Sequence, residues 1–137
     1  MKKVAKLVIT DEYGKYLMMY RSSHPIFGAN DPDLPGGTLD EGESLLETMI
    51  REVQEEIGVL IDASATREVY SGADFSKHGT HYSLFVAQLA EKPDILMSWE
   101  HSSYEWLDRE VFLEQASGAK DTYMHMVCAI LKKTTRD

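Results

Sequence analysis

The stretch that decides the fold runs from Gly36 to Val59 and reads GGTLDEGESLLETMIREVQEEIGV. A glycine-rich loop leads into a segment with helical periodicity. Ser44 and Glu47 have the spacing of a capping box, which predicts that the helix begins there. Gly58 follows the last periodic residue, where a left-handed cap is favoured. The apolar face of this helix consists of Leu46, Met49, Ile50, Val53 and Ile57.

The same helix carries a cluster of acidic residues. Glu52, Glu55 and Glu56 are three and four residues apart, so their carboxylates share one face. Like charges at this spacing repel by about 0.2–0.5 kcal/mol per pair, and the helix dipole disfavours negative charge near the C-terminus. A bound cation would relieve both penalties, and oxygen ligands favour magnesium, manganese or calcium. A solvated acidic face is the alternative, but entry from a Gly-Gly loop favours the metal site.

Length and composition limit the class of protein. The chain has 137 residues, which predicts one domain over residues 1–137, and its hydrophobic fraction of 43% is typical of globular proteins. A net charge of −9 argues against binding DNA through a basic patch, but not against an anionic small molecule bridged by metal ions. The single cysteine, Cys128, indicates a reducing, cytoplasmic location. No apolar run approaches the roughly 18 residues of a membrane span, so no membrane partner is expected.

The rest of the chain predicts strands on both sides of the central helix and helices at the end. Residues 22–33 have the composition of a surface loop. Asp108 and Asp121 are placed to cap the two later helices. Strands are expected at residues 4–10, 15–20, 66–70, 81–89, 95–97 and 105–107. This order predicts a mixed sheet covered on both faces.

The glycine loop and the helix together carry the pattern G-x5-E-x7-R-E-V-x-E-E-x-G-V. This pattern matches the Nudix box in full, and the chain resembles a compact MutT-type Nudix hydrolase. The resemblance implies an α/β (α+β) fold, the Nudix α/β/α sandwich, with a mixed β-sheet between helices. It also implies Mg²⁺-dependent hydrolysis of a phosphoanhydride bond in a nucleoside diphosphate linked to a second group, with Mn²⁺ as an alternative ion.

The family roles apply to the matching positions of this chain. Glu52 and Glu55 would be catalytic as well as metal-binding, and Glu43 and Arg51 would form a structural ion pair. Bound Mg²⁺ ions would neutralise phosphate oxygens and activate a water molecule. The implied metal ligands of the box are Glu52, Glu55, Glu56 and the backbone carbonyl of Gly37.

A further acidic residue is expected outside the box. MutT-like members carry one six residues before a tryptophan, and Glu100 lies six residues before Trp106. Glu100 is therefore predicted to be an extra metal ligand or the general base. An exposed loop acid is the alternative. A box glutamate or His101 could be the base instead, although a loop histidine is more often solvated.

Two residues are candidates for contacting the substrate. Arg21 ends the second predicted strand, where MutT-type enzymes often place such a residue, and an exposed strand-end arginine is the alternative. Phe27, in the loop before the box, could stack on a base or could pin its loop to the core.

Three functional hypotheses follow, all with a nucleotide-type small molecule as partner. The first is hydrolysis of a nucleoside triphosphate, normal or oxidised, to a monophosphate and pyrophosphate. The second is a Nudix hydrolase for a nucleotide sugar, ADP-ribose, a dinucleoside polyphosphate or capped RNA. The third is a non-catalytic nucleotide-sensing module, against which the intact box argues. The resemblance also makes a homodimer an expectation.

Overall fold

The computed structural model describes residues 2–22 and 30–134. Phe27, a predicted substrate contact, lies outside these residues. The three helices are α1 (Leu45–Ile57), α2 (Arg109–Ser117) and α3 (Thr122–Lys133), with a short 3₁₀ turn at Ala63–Ala65. The strands are β1 (Lys3–Thr10), β2 (Tyr16–Arg21), β3 (Pro32–Asp33), β4 (Gly36–Thr38), β5 (Thr66–Gly72), β6 (His81–Gln88) and β7 (His101–Leu107).

All of these strands belong to one mixed sheet with β1 at its centre. The main order is β3-β2-β1-β6-β5, while β4 also pairs with β1 and β7 with β2. β1 runs parallel to β6 along its whole length and antiparallel to β4 and to the start of β2. Two parallel strands need a long connection between them. The segment that contains α1 connects β4, which pairs with β1, to β5, which pairs with β6.

Alternate residues of β1 pack into two cores on opposite faces of the sheet. Leu7 and Ile9 join α1 through Met49 and Val53. Val8 points to the other face, which is covered by α2 and α3; the core there includes Phe112, Met124, Val127 and Leu131. This period-two alternation places helices on both faces, as the sequence predicts for an α/β/α sandwich.

The ends of α1 follow the sequence prediction closely. The Ser44 hydroxyl accepts from the N–H of Glu47, and the Glu47 carboxylate accepts from the N–H of Ser44. At the other end Gly58 has φ 72°, and its N–H donates to the carbonyl of Gln54. Both devices satisfy backbone groups that a helix leaves without partners at its termini.

Asp108 stands at the N-cap of α2 as predicted, but its side chain makes no cap hydrogen bond and pairs with Lys15 instead. Three predictions of strands and loops are also wrong. Gly36–Thr38 forms strand β4 rather than a loop, because its backbone pairs with β1. Pro32–Asp33 forms β3 inside the expected surface loop by pairing with β2. Residues 95–97 form no strand: the Leu96 N–H donates to the Ile57 carbonyl at 2.9 Å. In each case tertiary pairing, not local composition, decides where the backbone hydrogen bonds go.

Among the helices in the described ranges, none is long and apolar enough to cross a membrane.

The cap of α1 gives a stability test. Ser44→Ala should lower the free energy of unfolding by about 1 kcal/mol, because the N–H of Glu47 loses its acceptor. Urea unfolding of the variant and the wild type measures the difference. Ser44→Asp keeps an acceptor at the cap and should stay close to wild type; equal losses in both variants would contradict the capping role.

Candidate functional site

A cleft of about 540 Å³ lies beside α1 and brings together most of the predicted site residues. Its walls include Arg21, Gly37, Glu52, Glu56, Glu100 and His101. Glu55 is not among the wall residues of this cleft; its side chain is 56% exposed and contacts Arg51. The cleft therefore joins residues from the box, from the end of β2 and from the turn before β7.

The Arg51 guanidinium lies among carboxylates of the loop and the helix. Nε and Nη2 donate to the two oxygens of Glu43 at 2.8 and 3.0 Å, so the predicted structural pair is in bidentate contact. Nη1 donates to Oε2 of Glu52 at 2.6 Å and of Glu55 at 3.0 Å, and Nη2 lies 3.0 Å from Asp40. Hydrogen bonding to Arg51 lowers the pKa of Glu43. One cation therefore offsets the repulsion among these acids.

Glu56 is a buried carboxylate at the inner end of the acidic face. It is 7% exposed, and its Oε1 accepts from the N–H of Gly36 at 2.8 Å. Burial raises the pKa of Glu56 to about 8, and burial also raises the pKa of Glu52. Desolvation makes negative charge costly at both positions, and a divalent cation in the cleft would favour the ionised forms.

Gly37 gives the loop backbone access to the acidic face. A Cβ added at Gly37 would lie 2.7 Å from the carboxyl carbon of Glu52, so only glycine lets these two groups approach. The oxygen of Glu52 nearest Gly37 is Oε1, whereas Arg51 engages Oε2.

The carboxylates that line the cleft fit a hard cation such as Mg²⁺ in chemical type, because magnesium and manganese prefer oxygen ligands. Within residues 2–22 and 30–134, however, no three His, Cys, Asp or Glu side chains converge into a ready-made site. A cation held by Glu52 and Glu55 would compete with Arg51 for their oxygens.

A second, buried charge cluster lines the cleft next to Glu56. Asp33 Oδ1 lies 2.6 Å from Lys6 Nζ, and Oδ2 lies 3.0 Å from His101 Nε2 and 3.5 Å from Arg21 Nη1. Burial opposes ionisation of Asp33, yet Lys6 and His101 hold its pKa well below the usual range. Burial likewise opposes the charge of Lys6, but Asp33 keeps its pKa raised.

Sequence reasoning missed this cluster. The expectation of a solvated His101 is wrong, because its imidazole is buried against Asp33. The composition of residues 22–33 predicts that Asp33 lies in a surface loop, but Asp33 is buried. The available signal was Lys6, a charged residue inside the apolar run of β1, since a buried lysine requires an acidic partner.

Glu100 sits in the turn between Ser98 and His101. The side chain is exposed, and its carbonyl accepts from the N–H of Ser22 at 2.9 Å. Its charge contributes to the raised pKa of Glu56, so it acts on the acidic face of α1. Arg21 pairs with His101 where β2 meets β7, so it lies next to Glu100, and it is partly exposed.

Comparisons with known proteins identify the family of the chain. The model of the NUDIX domain matches residues 2–126. A segment of 71 residues is 32% identical to an ADP-ribose pyrophosphatase of Methanocaldococcus jannaschii, covering 52% of this chain and 41% of that relative. The chain thus matches less than half the length of the curated relative.

Solved structures share the fold over nearly the whole chain. A MutT protein from Methanosarcina mazei Go1 superposes with a TM-score of 0.68 and 25% identity, covering 96% of this chain and 95% of the other. A C. elegans Ap4A hydrolase superposes with a TM-score of 0.66 and 22% identity, covering 96% and 99%. At the latter identity the likeness shows the fold alone.

The close approach at Gly37 gives a prediction. Gly37→Ala should displace the Glu52 carboxylate and weaken Mn²⁺ binding by about tenfold or more, measured by titration with electron paramagnetic resonance. Gly118→Ala is the control, because a Cβ there would meet atoms no closer than 3.7 Å. Equal Mn²⁺ affinity in wild type and both variants would contradict the role of this approach.

The buried charge cluster gives a pH-dependent prediction. Asp33→Asn should lower the free energy of unfolding by about 3–5 kcal/mol at pH 7, because Lys6 stays buried without its counter-charge. Since the folded state depresses the pKa of Asp33, its contribution is full above the unfolded pKa of about 3.9 and decreases as the pH falls below it. The difference in the free energy of unfolding between wild type and variant should therefore decrease below about pH 4.

Urea unfolding at several pH values measures this difference. Asp74→Asn, at an exposed position, makes the same change in charge and should have little effect. A difference that stays constant below pH 4 would contradict the ionised state of Asp33.

Proposed function

Because the chain belongs to the NUDIX family, we propose that it is a divalent-cation-dependent pyrophosphohydrolase. It cleaves a phosphoanhydride bond in a nucleoside diphosphate linked to a second group. The observation that supports this most strongly is that Glu52 and Glu56 of α1 line one cleft together with Gly36 and Gly37 of β4.

The polar residues of α1 have two proposed roles: some bind the metal ion, and Arg51 attaches the loop to the helix. Glu52, Glu55 and Glu56, with the carbonyl of Gly37, would bind Mg²⁺ or Mn²⁺. When bound, such ions neutralise phosphate oxygens and make a water molecule nucleophilic. The ion pair of Arg51 with Glu43 keeps the loop on the helix, so the carboxylates and the loop backbone stay in register.

Glu100 and Arg21 complete the proposed site from outside the box. Glu100 supplies a further carboxylate, as metal ligand or general base, from the turn before β7. Arg21 has an exposed portion at the cleft and can donate to a phosphate while remaining near Asp33. Positioning and charge stabilisation are the main contributions a protein makes to this kind of transfer.

The first candidate substrate is a nucleoside triphosphate, normal or oxidised, cleaved to a monophosphate and pyrophosphate. The acidic residue Glu100, six residues before Trp106 as in MutT-like proteins, favours it. ADP-ribose is the second candidate, because the curated relative from M. jannaschii is named an ADP-ribose pyrophosphatase. Its products would be AMP and ribose 5-phosphate. A cytoplasmic location and a homodimer stay predictions.

A substrate panel tests the proposal. Purified protein with Mg²⁺ is incubated with normal and oxidised nucleoside triphosphates, ADP-ribose, nucleotide sugars, dinucleoside polyphosphates and capped RNA, and the products are identified by chromatography. We expect magnesium-dependent release of a nucleoside monophosphate from at least one of them. Binding without turnover across the whole panel would favour the sensing module instead.

Glu55 provides the sharpest single variant. Glu55→Gln removes one charged metal ligand without changing side-chain size and should lower kcat by about 10²-fold or more, as loss of a catalytic electrostatic contact does. Circular dichroism should remain that of wild type, because the side chain is largely exposed. Glu68→Gln, an exposed acid on β5, is the matched control. Near-normal turnover of Glu55→Gln would refute the metal assignment.

A further inference from the structure

The turn that bears Glu100 is fixed between the end of α1 and the end of β2. On one side the Ser98 N–H donates to the Glu56 carbonyl at 2.9 Å, and on the other the Glu100 carbonyl accepts from the N–H of Ser22 at 2.9 Å. The Glu100 side chain itself is exposed. A shift of this turn would therefore move Glu100 relative to the carboxylates of α1.

His101 joins this turn to the interior of the sheet. It is 6% exposed, and its Nε2 lies 3.0 Å from Oδ2 of Asp33. An ionised carboxylate only accepts hydrogen bonds, so Nε2 carries the proton. In the part of the chain that the structure describes, Nδ1 has no hydrogen-bond partner. The polar contact that orients the imidazole is thus the one to Asp33.

Asp33 is held from its other side by Lys6, whose Nζ lies 2.6 Å from Oδ1. Lys6 lies in β1 directly opposite Gly36 of β4. The N–H of Gly36 in turn donates to Oε1 of Glu56 at 2.8 Å. A continuous series of contacts therefore runs from Glu56 through β4, β1 and β3 to His101. His101 is the first residue of β7 and directly follows Glu100.

We propose that His101 is a positioning residue whose bond to Asp33 sets the distance between Glu100 and the glutamates of α1. The inference rests on the proposed function, in which these carboxylates share a divalent cation. Metal sites require ligand distances within about 0.2 Å, and an exposed turn has that precision only when it is anchored. A buried hydrogen bond between His101 and an ionised carboxylate is a strong anchor.

This role differs from that of a general base. A base must reach the attacking water, whereas Nε2 of His101 is engaged by Asp33 and the lone pair of Nδ1 is buried away from solvent. Glutamine at position 101 can place an amide N–H near the position of Nε2, but it cannot take up a proton at neutral pH. His101→Gln therefore separates positioning from base catalysis.

The test compares His101→Gln with His101→Leu, which has no donor. Mn²⁺ binding is measured by electron paramagnetic resonance without nucleotide, and kcat and KM are measured on the best substrate of the panel. His101→Leu should weaken Mn²⁺ binding and lower kcat about 10–100-fold, the effect expected when a residue that orients a metal ligand is lost. KM should change less than kcat. His101→Gln should retain most of the Mn²⁺ affinity and most of kcat.

Coupling to Glu100 completes the test. Glu100→Gln should weaken Mn²⁺ binding to the same extent as His101→Leu, and the double variant should be no weaker than either, because both changes remove one contribution. Additive losses, or a His101→Leu protein that only melts earlier with unchanged Mn²⁺ affinity, would overturn the inference. An equal loss of kcat in His101→Gln and His101→Leu would also overturn the inference.

Two further outcomes are distinguishable. If His101→Leu does not fold, His101→Asn is measured instead, because its shorter amide cannot reach Asp33 and the same losses are expected. If the wild type hydrolyses nothing on the panel but the Mn²⁺ data show the coupling, the proposed function fails and the positioning role stands. If the wild type does not bind Mn²⁺, the positioning role fails.

Discussion

The guanidinium of Arg51 is the contact on which the candidate site depends. It bridges the loop, through Asp40 and Glu43, to the helix, through Glu52 and Glu55. An isolated exposed ion pair contributes little to stability, but a bidentate pair within a network is a geometric constraint as well as an attraction. Without this cation the acidic face would repel the acidic loop. With it, the loop backbone lies against the helix.

The position of the loop has consequences through the sheet. Strand β4, which leads into the loop, pairs with β1, and this pairing sets Gly36 beside Glu56 and opposite Lys6. Lys6 then holds Asp33, and Asp33 holds His101. The acidic face and the buried charge cluster are therefore connected, because β4 lies between them and contacts both. Burying Lys6 and Asp33 is tolerated because each is the counter-charge of the other.

The sequence predicts the local features of this structure and not the distant ones. The capping box, the glycine cap of α1 and the proximity of Glu43 to Arg51 depend on residues at most eight apart, and short spacings are visible in a pattern. Lys6 and Asp33 are 27 residues apart, and Asp33 and His101 are 68 apart. Hydrophobic periodicity does not indicate contacts between residues so far apart in the sequence. For the same reason Gly36–Thr38 looked like a loop, since its strand character comes from β1. Substrate preference depends on the walls of the cleft outside the box, where residue types alone give weak signals.

We propose that the acidic face of α1 binds a divalent cation together with the Gly37 carbonyl and Glu100. A crystal structure of the protein soaked in Mn²⁺, with anomalous scattering data, would locate that cation. We expect anomalous peaks in the cleft within coordination distance of Glu52, Glu55 and Glu56, with Arg51 still paired to Glu43. Absence of any peak at these carboxylates at saturating Mn²⁺, or peaks confined to other acidic residues, would contradict it.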